Sequence, residues 1–284
     1  SLPLVRFVGS VVSCSLHDGY HCNTKVDMKR IKLTIAYDGT AYCGWQKQDG
    51  AVTIQETVEK AIRRLTGAET ELIGASRTDS GVHALGNVAV FDTESSIPGE
   101  KYMPALNSFL PDDIRIMASE ETTPEFHPRF DAHKKQYEYH IVTGEVCSPL
   151  EVRYAYHIRE SVDVKAMNEM ARYAVGTYDF TSFCAAGAQV KSKVRTITDI
   201  TVTEDNGHIV VAVEGDGFLY NMVRILVGTL LLAGLHRKEP ADMKAIIDAM
   251  DRTKAGPTVP ANGLRLCKIW RSIKMETSCF WINC

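Results

Sequence analysis

The chain has 284 residues, 45% of them hydrophobic and 24% charged, with a formal net charge of −3. This composition is ordinary for a soluble globular protein and excludes any shortage of core-forming residues for one large domain or two smaller ones. The slightly acidic balance excludes a polyanion-binding surface spread over the whole molecule, so any nucleic-acid contact must come from a local basic patch.

The first 27 residues show neither a helical nor a strand period. Their apolar portion is broken by Pro3 and Arg6 and is too short to span a bilayer. A charged start and a small-residue cleavage site, the marks of a secretory signal, are both missing. The stretch is read as a leader, disordered or foreign to the fold, with Met28 as the natural start. Cys14, His17, His21 and Cys22 within it fit no common zinc spacing, so no metal is expected there. All eight cysteines are scattered without a CxxC pair, which points to reduced thiols in a cytoplasmic protein rather than a disulfide framework.

From Met28 the pattern sharpens. Residues 31–37 alternate, with Ile31, Leu33, Ile35 and Tyr37 on one strand face. A helix is predicted over 53–66, because Thr53 and Glu56 have capping-box spacing, Ile54, Val58, Ile62 and Leu65 form an apolar stripe, and Gly67 stops it. Strands at 69–75 and 86–93 follow, then a short helix at 100–109 and a strand at 114–119. The order is β-α-β-β-α-β, and it is written twice. In the second copy a strand at 135–142 precedes a helix at 164–174. Strands at 196–203 and 208–214 then meet at the hairpin turn Asn206-Gly207. Helices at 218–233 and 241–249 and a strand at 264–270 complete it. The predicted fold class is therefore α+β: two ferredoxin-like halves, 28–125 and 126–273, whose antiparallel sheets merge, with helices on one face and a cleft on the other. Residues 274–284 are an unpatterned tail.

Where the second half needs only a two-residue turn, the first inserts a long loop, Ser76-Arg77-Thr78-Asp79-Ser80-Gly81-Val82-His83-Ala84. A loop longer than its strands require serves something else, or is a plain polar connection. It sets a cation, Arg77, close to a carboxylate, Asp79. The predicted helix at 218–233 is apolar nearly all round, yet carries Arg224. A buried guanidinium is costly unless a carboxylate pairs with it, and Asp79 is the natural partner; otherwise Arg224 snorkels to solvent. Tyr137, in a predicted strand, offers either a platform for a stacked base or ordinary packing. Lys191, Lys193 and Arg195 form a basic run without an acid, suited to phosphates or simply to solvent. Gly215-Asp216-Gly217 is too short to count as a nucleotide-binding glycine loop.

Together these features resemble a known family. Arg77-Thr78-Asp79-Ser80-Gly81-Val82-His83-Ala84 is similar to the catalytic loop of the tRNA pseudouridine synthase A family, which commonly has alanine where Ser80 stands here. Further similarity runs in the same order through Tyr42-Cys43-Gly44-Trp45-Gln46, His127-Pro128-Arg129-Phe130, Tyr137-Glu138-Tyr139, Arg195-Thr196-Ile197, Asn221 to Gly228, and Pro260-Ala261-Asn262-Gly263-Leu264. The resemblance implies a pseudouridine-synthase fold, a homodimer, and isomerisation of uridines 38 to 40 in the tRNA anticodon stem-loop, with no cofactor and no metal. It implies Asp79 as the essential carboxylate, Tyr137 as the stacking residue, Arg224 as the partner of Asp79, and Arg77 as the group that helps displace the target nucleotide. Against it stand a non-catalytic RNA-binding module of the same shape, and a hydrolase pairing Asp79 with His83.

Overall fold

Alternation and capping act as the sequence requires. In the computed structural model, which describes residues 28–188 and 190–271, strand β1 (Lys29–Tyr37) buries Ile31, Leu33 and Ile35 completely. Helix α1 (Ile54–Thr66) starts where the Glu56 backbone N–H donates to Thr53 Oγ1. It ends at Gly67, whose φ of 76° places it in the left-handed region that favours glycine. Ile54, Val58 and Ile62 all point inward from it. Then come β2 (Ile73–Gly74), β3 (His83–Thr93), α2 (Tyr102–Asn107) and β4 (Ile114–Thr122).

The second run begins with β5 (Ala132–Thr143) and the short β6 (Tyr156–Ile158). Helix α3 (Val164–Arg172) follows, capped by Asp163, whose side chain accepts from Ala166 N. Next are β7 (Gly176–Asp179), β8 (Val194–Asp205) and β9 (His208–Gly215). The β8–β9 turn has Asn206 at φ 50° and Gly207 at φ 80°, the paired positive angles that match strand twist in a tight hairpin. Helices α4 (Met222–Gly234) and α5 (Asp242–Asp248) and strand β10 (Leu264–Arg271) complete it.

The ten strands of the described residues join one sheet, with a main path β4-β1-β3-β10-β5-β9-β8-β7. The first run pairs in the order β4-β1-β3-β2 and the second in the order β10-β5-β9-β8, the same order by position in each repeat. Pairing is antiparallel except at two places. One is the β5–β6 edge; the other is the junction itself, where β3 and β10 run parallel through Arg265↔His83 and Leu266↔Ala84. One hydrophobic core runs beneath both halves. It includes Ile35, Ile62 and Phe91 from the first and Tyr139, Met167, Ile225 and Leu230 from the second.

Three expectations are corrected. Helix α4 begins at Met222, not 218: Asn221 is left-handed at φ 59°, so the apolar residues before it form a loop. Consequently Arg224 lies in the first turn of α4 rather than its middle. The strand expected at 69–75 shrinks to two residues. The leader, the tail at 274–284 and the cysteines they contain lie outside the described residues.

Candidate active site

The β3–β10–β5 seam does the positioning. Ala84 pairs with Leu266, and Leu266 pairs with Tyr137 on its other side. The loop that enters β3 and the tyrosine on β5 are thus separated by one strand, roughly 10 Å at ordinary strand spacing. Arg77, Thr78, Asp79, Tyr137, Phe218 and Met222 line a cavity of about 400 Å³ there, walled further by residues 219–221 and by Gly187, Ala188 and Val190. That volume falls at the lower end of small-ligand sites, about 300–1,000 Å³. The cavity does not open on a face bare of helices, as the sequence led us to expect. Tyr137 shares its strand face with Tyr139 and Ile141, which pack in the same core as α3 and α4. The cleft is a gap on the helical side, between the loop and the N-terminus of α4.

The loop is held from outside. Trp45 N donates to Thr78 O at 3.0 Å, and Gly81 N to Tyr42 O at 3.3 Å. Ser80 Oγ donates to the same Tyr42 carbonyl at 3.2 Å. Gly44, at φ 86°, lies so close that a Cβ there would sit 2.7 Å from Thr78 O. Tyr37 Oη and Thr78 Oγ1 share a buried hydrogen bond of 2.7 Å, and Asn87 Nδ2 donates to Tyr37 Oη at 3.4 Å. The segment around Gly44 and Trp45 is thus a cradle for the Asp79 loop, a role its sequence did not disclose.

Asp79 and Arg224 face each other across the seam, with Asp79 Oδ2 3.8 Å from the nearer Arg224 nitrogen. Their side chains are 20% and 16% exposed, so each is shielded but neither sealed. The guanidinium is fixed by other groups: Arg224 Nε donates to Val259 O and a terminal nitrogen to Asn221 Oδ1, both at 2.7 Å. Among the described residues no donor hydrogen-bonds the Asp79 carboxylate, leaving its lone pairs free for a reacting carbon. Burial raises the Asp79 pKa above the ordinary carboxylate range, and the Arg224 charge opposes that rise. Desolvation wins this contest, so Arg224 moderates the rise without cancelling it.

Tyr137 is 8% exposed and meets Phe218 edge to face at 5.3 Å. Burial, with the Asp79 charge adding to it, pushes its phenol up to about 12, so the hydroxyl stays protonated at neutral pH. Arg77 is exposed on the cavity lip. Lys191 and Lys193 precede β8, close in sequence to the cavity residues Gly187, Ala188 and Val190, but neither side chain reaches a partner among the described residues. Arg195 lies with its Nε and Cδ against Gly217, next to the cavity residue Phe218. His83 is no partner for Asp79. Its Nδ1 faces Gly39 N and Asp38, both at 3.1 Å, and its Nε2 faces the carbonyls of Arg153 and Asn262 at 3.1 and 3.2 Å. It fastens loops together, and the Asp79–His83 hydrolase dyad is ruled out.

Comparison with known proteins agrees with this picture. A family model of tRNA pseudouridine synthases matches residues 33–131 and 170–269. A protein of Clostridium tetani named tRNA pseudouridine synthase A 2 is 48% identical over 244 residues, covering 85% of this chain and 98% of its own. A tRNA pseudouridine synthase A of Clostridium acetobutylicum is 49% identical over 242 residues, covering 85% and 99%. This chain belongs to the tRNA pseudouridine synthase A family. The matched segments contain β3, all of β10 but its last two residues, Asp79 and Arg224, whereas β5 with Tyr137 lies between them. Sequence reasoning missed Phe218, Leu219 and Tyr220 as cavity wall, having read them as helix. It also missed Lys135 and Arg129. For Lys135 a signal existed: two residues before Tyr137, it shares that residue's strand face.

Proposed function

We propose that this enzyme isomerises uridines 38 to 40 of the tRNA anticodon stem-loop to pseudouridine, acting as a homodimer, with Asp79 as its catalytic carboxylate. The observation that carries the reading is a half-buried carboxylate with no hydrogen-bond donor among the described residues, opposed by a fixed guanidinium at 3.8 Å, in a nucleotide-sized cavity floored by a tyrosine. The position in tRNA and the dimer rest on the family resemblance. Among the described residues no helix is long and apolar enough to cross a membrane.

The chemistry needs little else. The N1–C1′ bond of uridine breaks, the uracil turns, and a C5–C1′ bond forms. The C5 proton leaves, N1 gains one, and no electrons are exchanged with another molecule. The target base must first leave its stack, at a cost of a few kcal/mol. Stacking on Tyr137 returns about 1–3 kcal/mol of that, and Arg77 on the lip fills or braces the vacated place. Asp79 then acts ionised, either attacking the substrate or assisting a glycal route; in both cases Arg224 favours the charged form. Because its phenol stays neutral, Tyr137 serves the proton transfers as a hydroxyl, not as a standing phenolate.

The test is tritium release from tRNA labelled at uridine C5. The wild-type chain should release tritium, and Asp79→Asn should abolish release while largely preserving tRNA binding. Appreciable turnover by a pure Asp79→Asn protein would refute the catalytic assignment. Binding without release by the wild type would leave a non-catalytic RNA-binding module.

A further inference from the structure

Most basic side chains on this sheet are matched to acids. Arg30 pairs with Asp92, Lys134 with Glu214 and Arg265 with Glu138, all at 2.6–2.7 Å between nearest atoms. Beside the cavity the rule fails. Lys135 turns toward the cleft side of β5, one pleat repeat (roughly 7 Å) from Tyr137. Its ammonium donates to the Ala75 carbonyl at 2.8 Å and has no carboxylate partner among the described residues. Arg195, packed over Gly217 next to the cavity residue Phe218, donates among the described residues only to the carbonyls of Ser192 and Val194, at 3.0 and 2.6 Å. Arg129 and Arg77 make no side-chain hydrogen bond or ion pair among the described residues.

These groups feel one another. Burial, then Arg129 and Arg195, hold Lys135 down at about 8. Partial burial and the nearby Arg77 lower Arg129 as well. The neighbouring acids are engaged elsewhere: Glu214 by Lys134, and Asp216 by the Thr196 backbone N–H at 3.0 Å. Like charges gathered in a partly dry place, with no carboxylate in an ion pair with them among the described residues, destabilise the free protein. An arriving anion relieves that repulsion, and the most abundant anion on an RNA substrate is the phosphodiester.

We propose that Arg129, Lys135 and Arg195, completed by Arg77 at the cavity lip, bind a backbone phosphodiester of the RNA next to the nucleotide whose base enters the cavity. The site rests on the functional reading above, because it supposes an RNA substrate. It deepens that reading by assigning a phosphate grip to residues of three segments that are far apart in sequence. Held at this point, the backbone cannot slide the extruded nucleotide back into its stack.

The experiment measures tRNA affinity of the full chain across a potassium chloride series, with tritium release recorded on the same preparations. Each phosphate contact contributes about 0.7–0.9 to the slope of log K against log salt. Because these residues share one phosphodiester, the triple variant Arg129→Gln/Lys135→Gln/Arg195→Gln should flatten the slope by about that amount and each single variant by a part of it. Each single change should weaken binding by roughly ten- to a hundredfold. Arg237→Gln, at a site paired with Glu160 by an exposed ion pair, should leave the slope unchanged. Lys135→Arg should keep the slope. It should also abolish the loss of affinity that the wild type shows as pH rises past about 8, where Lys135, faced by Arg129, Arg195 and the Ala75 carbonyl, gives up its proton. Arg129 is exposed, so its variant tests the site even should Lys135→Gln fail to fold. Wild-type tritium release with unaltered slopes in the Arg129 and Arg195 variants overturns the phosphate site alone. Absence of wild-type release overturns the functional reading instead.

Discussion

Two equivalent connections differ sharply between the halves. The second and third strands of the second repeat, β8 and β9, meet in a turn of two residues, Asn206 and Gly207, both at positive φ. Their counterparts in the first repeat, β2 and β3, are joined by residues 75–82, which carry Asp79. Among the described residues the tight turn takes only Thr143 of β5 from outside, whose N–H and hydroxyl donate to Gly207 O at 2.8 and 3.1 Å. The long loop is shaped by Tyr42, Gly44, Trp45 and Tyr37, none of which it contains. A repeated scaffold can thus host chemistry in one copy and simply close a hairpin in the other, provided that a second segment supplies the rigidity the longer loop lacks.

Glycine substitution should break the comparison most visibly. Gly44→Ala forces a side chain into a left-handed position against Thr78 O, so the Asp79 loop must move. A displacement near 1 Å costs on the order of a hundredfold in kcat. Gly207→Ala, with a similar φ of 80°, should cost about 1 kcal/mol of stability with kcat unchanged. Equal kcat losses in the two variants would show that the cradle has no special role.

A smaller effect is expected from Arg224→Gln. Because Arg224 lowers a carboxyl pKa that burial has raised, its loss should move the acid limb of kcat/KM to higher pH and lower turnover at neutral pH. An unmoved acid limb, measured by single-turnover rates across pH, would detach Arg224 from Asp79.

Thermal melting sharpens the point in the opposite sense. The folded state holds the Asp79 proton more tightly than the unfolded chain does, so ionising it opposes folding once pH rises above the ordinary carboxylate range. Asp79→Asn should therefore raise Tm at neutral pH, and the gain should vanish at acid pH where the native carboxyl is neutral too. The least effect belongs to Tyr37→Phe, which removes the hydroxyl shared with Thr78 and should cost about 1 kcal/mol in chemical denaturation.

Much of this was legible from the residues, for particular reasons. Alternation in β1 and the capping of α1 are local signals, and both elements formed where local chemistry required. A guanidinium in an apolar segment demands a counter-charge, so Arg224 pointed to Asp79 before any coordinates did. The short strands β6 and β7 were missed because three or four residues carry no period. Phe218 to Tyr220 were misread since an apolar loop entering an apolar helix leaves no boundary; the left-handed Asn221 that marks it is visible only in space. The basic run at 191–195 was seen as one feature, and of it Arg195 lies against Gly217, next to the cavity residue Phe218. Its companions Lys135, on β5, and Arg129, in the turn that leads into β5, are brought there by the fold, which no linear pattern records.

The parallel contact of β3 with β10 has a consequence for biosynthesis. Of the ten strands β10 is translated last, yet it takes a central place between β3 and β5. Until Leu264–Arg271 leaves the ribosome, the nascent first repeat has an unpaired β3 edge beside the loop that bears Asp79, and β5 has an empty neighbour. A nascent chain therefore cannot assemble the reactive crevice piecemeal. Competence arrives in one late event, and until then the two open edges are exposed to pairing with other chains or to capture by chaperones.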